Sequence, residues 1–204
     1  MEQGGAIGEL ELRRKARDGS RRLRGKFPYK KRAILSDGGR TGRPRKEEFA
    51  PHAFAWRINQ PDQDIHLLIG HDYGKPLASR SAGTLEIHDA ADAVIFDATI
   101  TPELQGAQYV QDFFAGFVAG LIGGISPGFR IPPERVAPKA EVTTEEPPSE
   151  GMALIRTIFE ALLYEFSMVT VPAYKDTTVE ERGGLILPPD PAEGLRRSLT
   201  RWRA

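Results

Sequence analysis

A chain of 204 residues, 40% hydrophobic and 27% charged, is long enough to bury one core and has the balance of a soluble globular protein. It contains no cysteine, which excludes disulfides, thiolate metal ligands and a cysteine nucleophile. No apolar run nears the roughly 20 residues of a spanning helix, and the amino terminus lacks the apolar segment of a secretory signal, so neither membrane insertion nor conventional secretion is expected.

The formal net charge of zero hides an asymmetry. Residues 1–32 carry 11 Lys and Arg against 4 Asp and Glu, residues 33–182 carry 13 against 22, and residues 183–204 carry 4 against 2. Two basic arms therefore flank an acidic body. Such arms hold nucleic acid, an acidic partner or the protein's own acidic face, or are simply solvated. Residues 1–26 are Arg-rich and punctuated by glycine, with few sizeable apolar anchors such as Leu10, Leu12 and Leu23, too few to offset the entropy of ordering. They are expected to form a disordered or weakly helical arm.

Domain-like sequence begins at Phe27. Strands are predicted at residues 33–35, 65–69, 84–87 and 94–100, the last two joined by a turn around Asp89-Ala90-Ala91-Asp92. Thr101-Pro102 is a helix-start signal, and apolar residues at 110, 113, 114, 117 and 118 predict an amphipathic helix within 103–121, stopped by Gly120, Gly123 and Gly124. Residues 125–131 read as extended chain closed by Pro132-Pro133, and residues 132–150 as a mobile surface loop. Residues 152–164 fit a helix and a buried strand equally. Residues 164–171 are β-branched and stop at Pro172, which predicts a strand with Glu165, Ser167, Val169 and Val171 on one face. Residues 183–191 read as loop, and Asp190-Pro191-Ala192-Glu193 resembles a capping box opening a short helix for docking or assembly.

Three places can carry chemistry. In Gly123-Gly124-Ile125-Ser126-Pro127-Gly128-Phe129, a serine between glycines leaves its hydroxyl uncrowded, although a turn serving backbone geometry has the same composition. The run also matches the G-x-S-x-G elbow of the α/β-hydrolases, but Pro127 has no N–H for an oxyanion, no helix follows, and all four histidines precede Ser126. In Ile69-Gly70-His71-Asp72, a strand end holds His71 at a cleft rim, where a general base or a structural turn histidine would sit. A metal-dependent phosphohydrolase would need further His and Asp ligands on helices. Glu165, the third, is placed to accept a ring N–H of a catalytic histidine, or to be a salt-bridged strand carboxylate. Asp72 is its rival, but neighbours in extended chain point to opposite sides. His52, His66 and His88 read as loop, cross-strand and exposed turn residues.

Taken in order, Glu48-Phe49-Ala50-Pro51-His52-Ala53-Phe54, His71-Asp72, Pro76-Leu77-Ala78, Gly83-Thr84-Leu85, Gly124-Ile125-Ser126-Pro127-Gly128-Phe129 and Glu165-Phe166-Ser167-Met168-Val169-Thr170-Val171-Pro172-Ala173-Tyr174 resemble the prohead (capsid-maturation) serine proteases of tailed bacteriophages, distant relatives of the herpesvirus assemblins. The resemblance covers about residues 27–182, leaving 1–26 as the basic arm and 183–204 as a tail. It implies an α+β fold built on a compact, mostly antiparallel β-barrel with surrounding helices. It also implies an endopeptidase without cofactor or metal that cleaves capsid or scaffold protein inside the assembling prohead in the host cytoplasm, with self-cleavage open to it. Carried over by position, Ser126 matches the nucleophile and His71 the base; assemblins place a second histidine after the serine, and here Glu165 is the candidate for that role. The assemblin likeness further implies a homo-oligomer, a dimer, and the basic arm leaves a nucleic-acid contact open. The alternative from another class is a non-enzymatic capsid-assembly or scaffolding protein in which the serine is idle.

Overall fold

The computed structural model describes residues 2–3, 9–13, 18–40 and 42–171. In chain order the elements are β1 (Glu2–Gln3), β2 (Glu9–Arg13), β3 (Arg21–Pro28), β4 (Ala33–Ser36), β5 (Arg45–Phe49), α1 (Ala55–Ile58), β6 (His66–Ile69) and β7 (Asp72–Ser79). There follow β8 (Leu85–Asp89), β9 (Ala93–Ile100), α2 (Gln108–Val118), β10 (Gly124–Arg130), β11 (Glu141–Glu145), β12 (Leu154–Ile158) and β13 (Leu162–Val169). Mostly antiparallel, the strands form three sheets in the orders β1-β10-β13-β6-β7, β11-β12-β5-β4 and β2-β3-β9-β8. The pairs β13·β6 and β12·β5 are parallel.

The core sits where the three sheets meet, and phenylalanine fills it. Phe27 of β3 lies 5.4 Å from Phe49 of β5, Phe49 lies 5.2 Å from Phe129 of β10, and Phe96 of β9 stacks 5.4 Å from Phe166 of β13. Edge and tilted contacts of this kind add to the apolar area each ring removes from water. This junction replaces the closed barrel that the resemblance implied. Among the described residues each sheet is open, because its two outer strands do not bond to one another, as a barrel requires.

The expected disordered arm is corrected at three places. Residues 2–3, 9–13 and 21–28 are paired strands, and β3 lies between β2 and β9. Its alternation is complete: Leu23, Gly25 and Phe27 are buried, while Arg22, Arg24 and Lys26 face outward. Gly25 hides the pattern, since a Cβ there would come within 2.2 Å of Phe96, which occupies the space instead. Part of the arm's positive charge meets the body's own acidic face, with Lys26 Nζ 2.9 Å from Asp92 and Arg24 3.9 Å from Asp97.

Three other expectations shift. Thr101 opens a short 3-10 turn, Leu104–Gly106, before the α-helix starts at Gln108 behind an extended Ala107. Residues 132–150 contain β11 and a buried Glu146, whose carboxylate accepts a 2.6 Å hydrogen bond from Lys46. The ambiguous segment 152–164 is a strand, turn and second strand; Ile155 and Ile158 are spaced three apart, a coincidence with helical period. The late strand ends at Val169, leaving Val171 exposed. Strands predicted near 33, 65, 84 and 94 form where expected, whereas β5 and β7 were not anticipated. The predicted tail helix, and residues 172–182 of the proposed domain, lie outside the described residues.

Candidate active site

The five-stranded sheet has two unlike faces. Ile125 and Phe129 of β10, Phe166 and Met168 of β13 and Leu67 of β6 enter the phenylalanine core. Residues of opposite parity form the other face, because successive strand side chains alternate. Across the β10·β13 ladder Ser126 stands opposite Ser167, and Gly128 opposite Glu165. Directly paired residues project on the same side, with Cβ atoms about 4.5–5.5 Å apart. Ser126, Ser167 and Glu165 therefore share this second face, all of them buried. Past Gly128 the register shifts, and the bulge lets Leu163 join Phe166 in the core despite its odd spacing.

His71 arrives from the neighbouring hairpin. β6 and β7 are joined by two residues, Gly70 and His71, with Ile69 opposite Asp72. Both turn residues have φ of 61°. Positive φ at both positions marks the type I′ turn, whose twist matches the strands it joins. Glycine accepts this freely; for His71 the left-handed backbone costs about 1–2 kcal/mol. Such strain persists when surrounding contacts hold it, and it clusters at functional sites.

Those contacts form a closed ring. The His71 backbone N–H donates to Ser167 Oγ at 2.8 Å, and the Ser167 hydroxyl donates to Glu165 Oε2 at 2.8 Å. Glu165 Oε1 in turn meets His71 Nδ1 at 2.7 Å. A carboxylate is an acceptor, so Nδ1 carries the proton and Nε2 is left with its lone pair. Glu165 and Ser167 are fully buried, while the His71 side chain retains 15% exposure. Taking a carboxylate out of water is tolerated when donors replace the lost solvent, as they do on both oxygens here.

Gly128 makes room for this carboxylate. A Cβ at that position would lie 1.9 Å from Glu165 Oε1 and 2.9 Å from its Cγ. A glycine inside a strand signals such close approach, so its role was readable in the sequence although it was not assigned one. Ser167 was likewise placed on the right face and given no function.

The structure brings His71 and Glu165 into direct contact and sets Ser126 on the adjoining strand of the same face. Asp72 is engaged elsewhere: its Oδ1 accepts from the Gly74 N–H at 2.8 Å and its Oδ2 pairs with Lys75 at 3.2 Å. His52 contacts Asp89 at 3.0 Å, His66 contacts Asp64 at 3.4 Å, and His88 is exposed on β8. Among the described residues no helix is long and apolar enough to cross a membrane.

A protein-family comparison matches residues 38–185, more than half the chain, to the family described as caudovirus prohead serine protease. No curated protein and no solved structure matches the chain.

Proposed function

Since the chain belongs to the caudovirus prohead serine proteases, we propose that it is a serine endopeptidase with Ser126 as nucleophile, His71 as general base and Glu165 as the carboxylate behind the base. Its substrates are the capsid or scaffold proteins of the assembling prohead. The observation that carries the reading is the ring joining His71, Glu165 and Ser167 on the sheet face that also bears Ser126. It supports a histidine whose tautomer and orientation are both fixed, which is what base catalysis requires.

In this mechanism Nε2 of His71 takes the Ser126 hydroxyl proton as Oγ attacks the scissile carbonyl. The imidazolium so formed is stabilised by the buried Glu165 carboxylate. His71 then protonates the leaving amine, and water, deprotonated by the same nitrogen, hydrolyses the acyl-enzyme. Pro127 has no N–H, so the oxyanion draws its donors from other groups. Self-cleavage and activation by self-association belong to the same reading; the second predicts that specific activity falls on dilution.

The test is to incubate the purified chain with the capsid and scaffold proteins of its phage and compare it with Ser126→Ala. Discrete fragments, absent with the variant, are expected. Fragments with the variant as well would remove Ser126 as the nucleophile, and no fragments with either would return the chain to the class of non-enzymatic assembly proteins.

A further inference from the structure

The sheet face that carries the His71, Glu165 and Ser167 ring continues past it into a patch of arginine and tyrosine. Arg130 has the parity of Ser126 and Gly128 on β10, with Phe129 in the core, so its side chain projects on the same face. The bulge opposite adds Tyr164 to β13, the residue passed over between Leu163 and Glu165 in the register. The Arg130 guanidinium lies 5.6 Å from the centre of the Tyr164 ring, and Arg57, from α1, lies over the same ring at 4.1 Å. Nearby, His66 stands beside Glu165 in the parallel β13·β6 pairing, and its ring meets Tyr73 edge-on at 5.7 Å. Burial, and then the Glu165 charge, raise the Tyr73 hydroxyl above its ordinary pKa, while Arg57 and Arg130 act in the opposite sense. The patch therefore lies within electrostatic reach of the carboxylate behind the base.

These two arginines differ from others in the body. Arg24, Arg32, Arg43 and Arg156 each meet a carboxylate. Arg57 and Arg130 are held by the Tyr164 ring, with no carboxylate in ion-pair range among the described residues, and the buried Nε of Arg57 has no hydrogen-bond partner there. Glu165 has both oxygens engaged by His71 and Ser167. A guanidinium stacked by its plane keeps its N–H edge for a carboxylate, and the stack fixes where that edge points. Resting on the serine-protease reading above, we propose that Arg57 and Arg130 form a specificity subsite for an acidic side chain of the substrate, with Tyr164 as its floor. Arg130 stands four residues along β10 from Ser126. That is about 13 Å at the rise of a strand, and an extended peptide covers the same span in about four residues. The Asp or Glu so recognised therefore sits about four positions from the cleaved bond, within an extended acidic segment of capsid or scaffold protein. The subsite contributes binding and register and does not touch the reacting atoms.

The experiment maps, by mass spectrometry, the bonds that the full wild-type chain cuts in a randomised dodecapeptide library and in the capsid and scaffold proteins of its phage. Asp and Glu should be enriched at one position, about four residues from the bond. A peptide from that set and its counterpart with the amide in place of the acid then give a ratio of kcat/KM values. A charge-assisted pair should make that ratio about tenfold in favour of the acid, expressed mainly in KM. Arg57→Gln together with Arg130→Gln should bring it near one. Arg130→Glu should turn the preference toward Lys or Arg at the same position, which a merely structural loss would not do. Raising salt from about 50 to about 500 mM should shrink the wild-type ratio. The Arg130 side chain is exposed, so its variants carry the test if those at the half-buried Arg57 unfold. No acidic enrichment with the wild-type chain, or a ratio that Arg130→Gln and Arg130→Glu leave unchanged, overturns the proposal. If the wild-type chain cuts neither the library nor capsid or scaffold protein, the protease reading fails and the subsite falls with it; cutting without a charge preference removes the subsite alone.

Discussion

Replacing Glu165 by glutamine keeps the side-chain shape and removes the charge. In the native ring Oε1 accepts from His71 Nδ1 at 2.7 Å and Oε2 accepts from the Ser167 hydroxyl at 2.8 Å. A glutamine amide supplies only one acceptor atom. If its oxygen serves Ser167, the NH₂ group meets Nδ1 and drives the imidazole proton to Nε2, where it cannot take a proton from Ser126. If the oxygen serves His71, the Ser167 hydroxyl loses its acceptor, and the imidazolium still lacks its counter-charge. Because Glu165 is fully buried, water cannot supply the missing acceptor. A wrong tautomer behind a serine nucleophile is worth about 10⁴ in rate, or ~5 kcal/mol of transition-state stabilisation. The assay is the second-order rate at which a fluorophosphonate labels the chain, which needs no knowledge of the natural substrate. Glu165→Gln should lower that rate about 10⁴-fold while the melting temperature stays within a few degrees, because a neutral isostere relieves the burial of charge. Labelling within about threefold of wild type would refute the assignment of Glu165.

Gly128→Ala should act on the same carboxylate from the opposite side. Its Cβ would fall 1.9 Å from Oε1, so Glu165 must move. Urea denaturation should show a loss of about 1–3 kcal/mol, and fluorophosphonate labelling should drop about 100-fold. Ser167→Ala removes two buried hydrogen bonds, one to a carboxylate, and should cost about 3 kcal/mol of stability. As a positioning change it should lower kcat on any cleaved peptide with little effect on KM. Away from the site, the Lys46 hydrogen bond holds the Glu146 carboxyl below its ordinary value of 4.5. Its stabilisation is therefore present above pH 4.5 and is lost as the pH falls through the lower folded value. Denaturation midpoints between pH 6 and pH 3 should fall less steeply for Glu146→Gln than for wild type; equal slopes would deny that contribution.

How much of this was legible in the chain varies with the range of the determining contact. The strands around residues 65–69 and 94–100 announced themselves through short apolar runs between turn residues, and the strand position of Glu165 followed from β-branched neighbours. Glu165 was preferred over Asp72 on alternation in extended chain; His71 lies instead in a left-handed turn, and Asp72 is held by Gly74 and Lys75. β3 escaped because one of its inward positions is Gly25, whose place in the core is filled from across the ladder by Phe96. Its basic outward residues, read as a solvated arm, include Arg24 and Lys26, which meet acidic partners roughly 70 residues later in the chain. The ring through Ser167 was invisible for the same reason: it depends on the His71 backbone N–H reaching a strand 96 residues away. Openness of the sheets is likewise a property of which edges bond, and no local pattern encodes it.

The most direct measurement is to react the purified chain with a fluorophosphonate and map the adduct by peptide mass spectrometry. One adduct per chain on Ser126, lost in His71→Ala, is the predicted result. An unmodified Ser126, or equal modification with and without His71, would contradict a serine activated by that histidine.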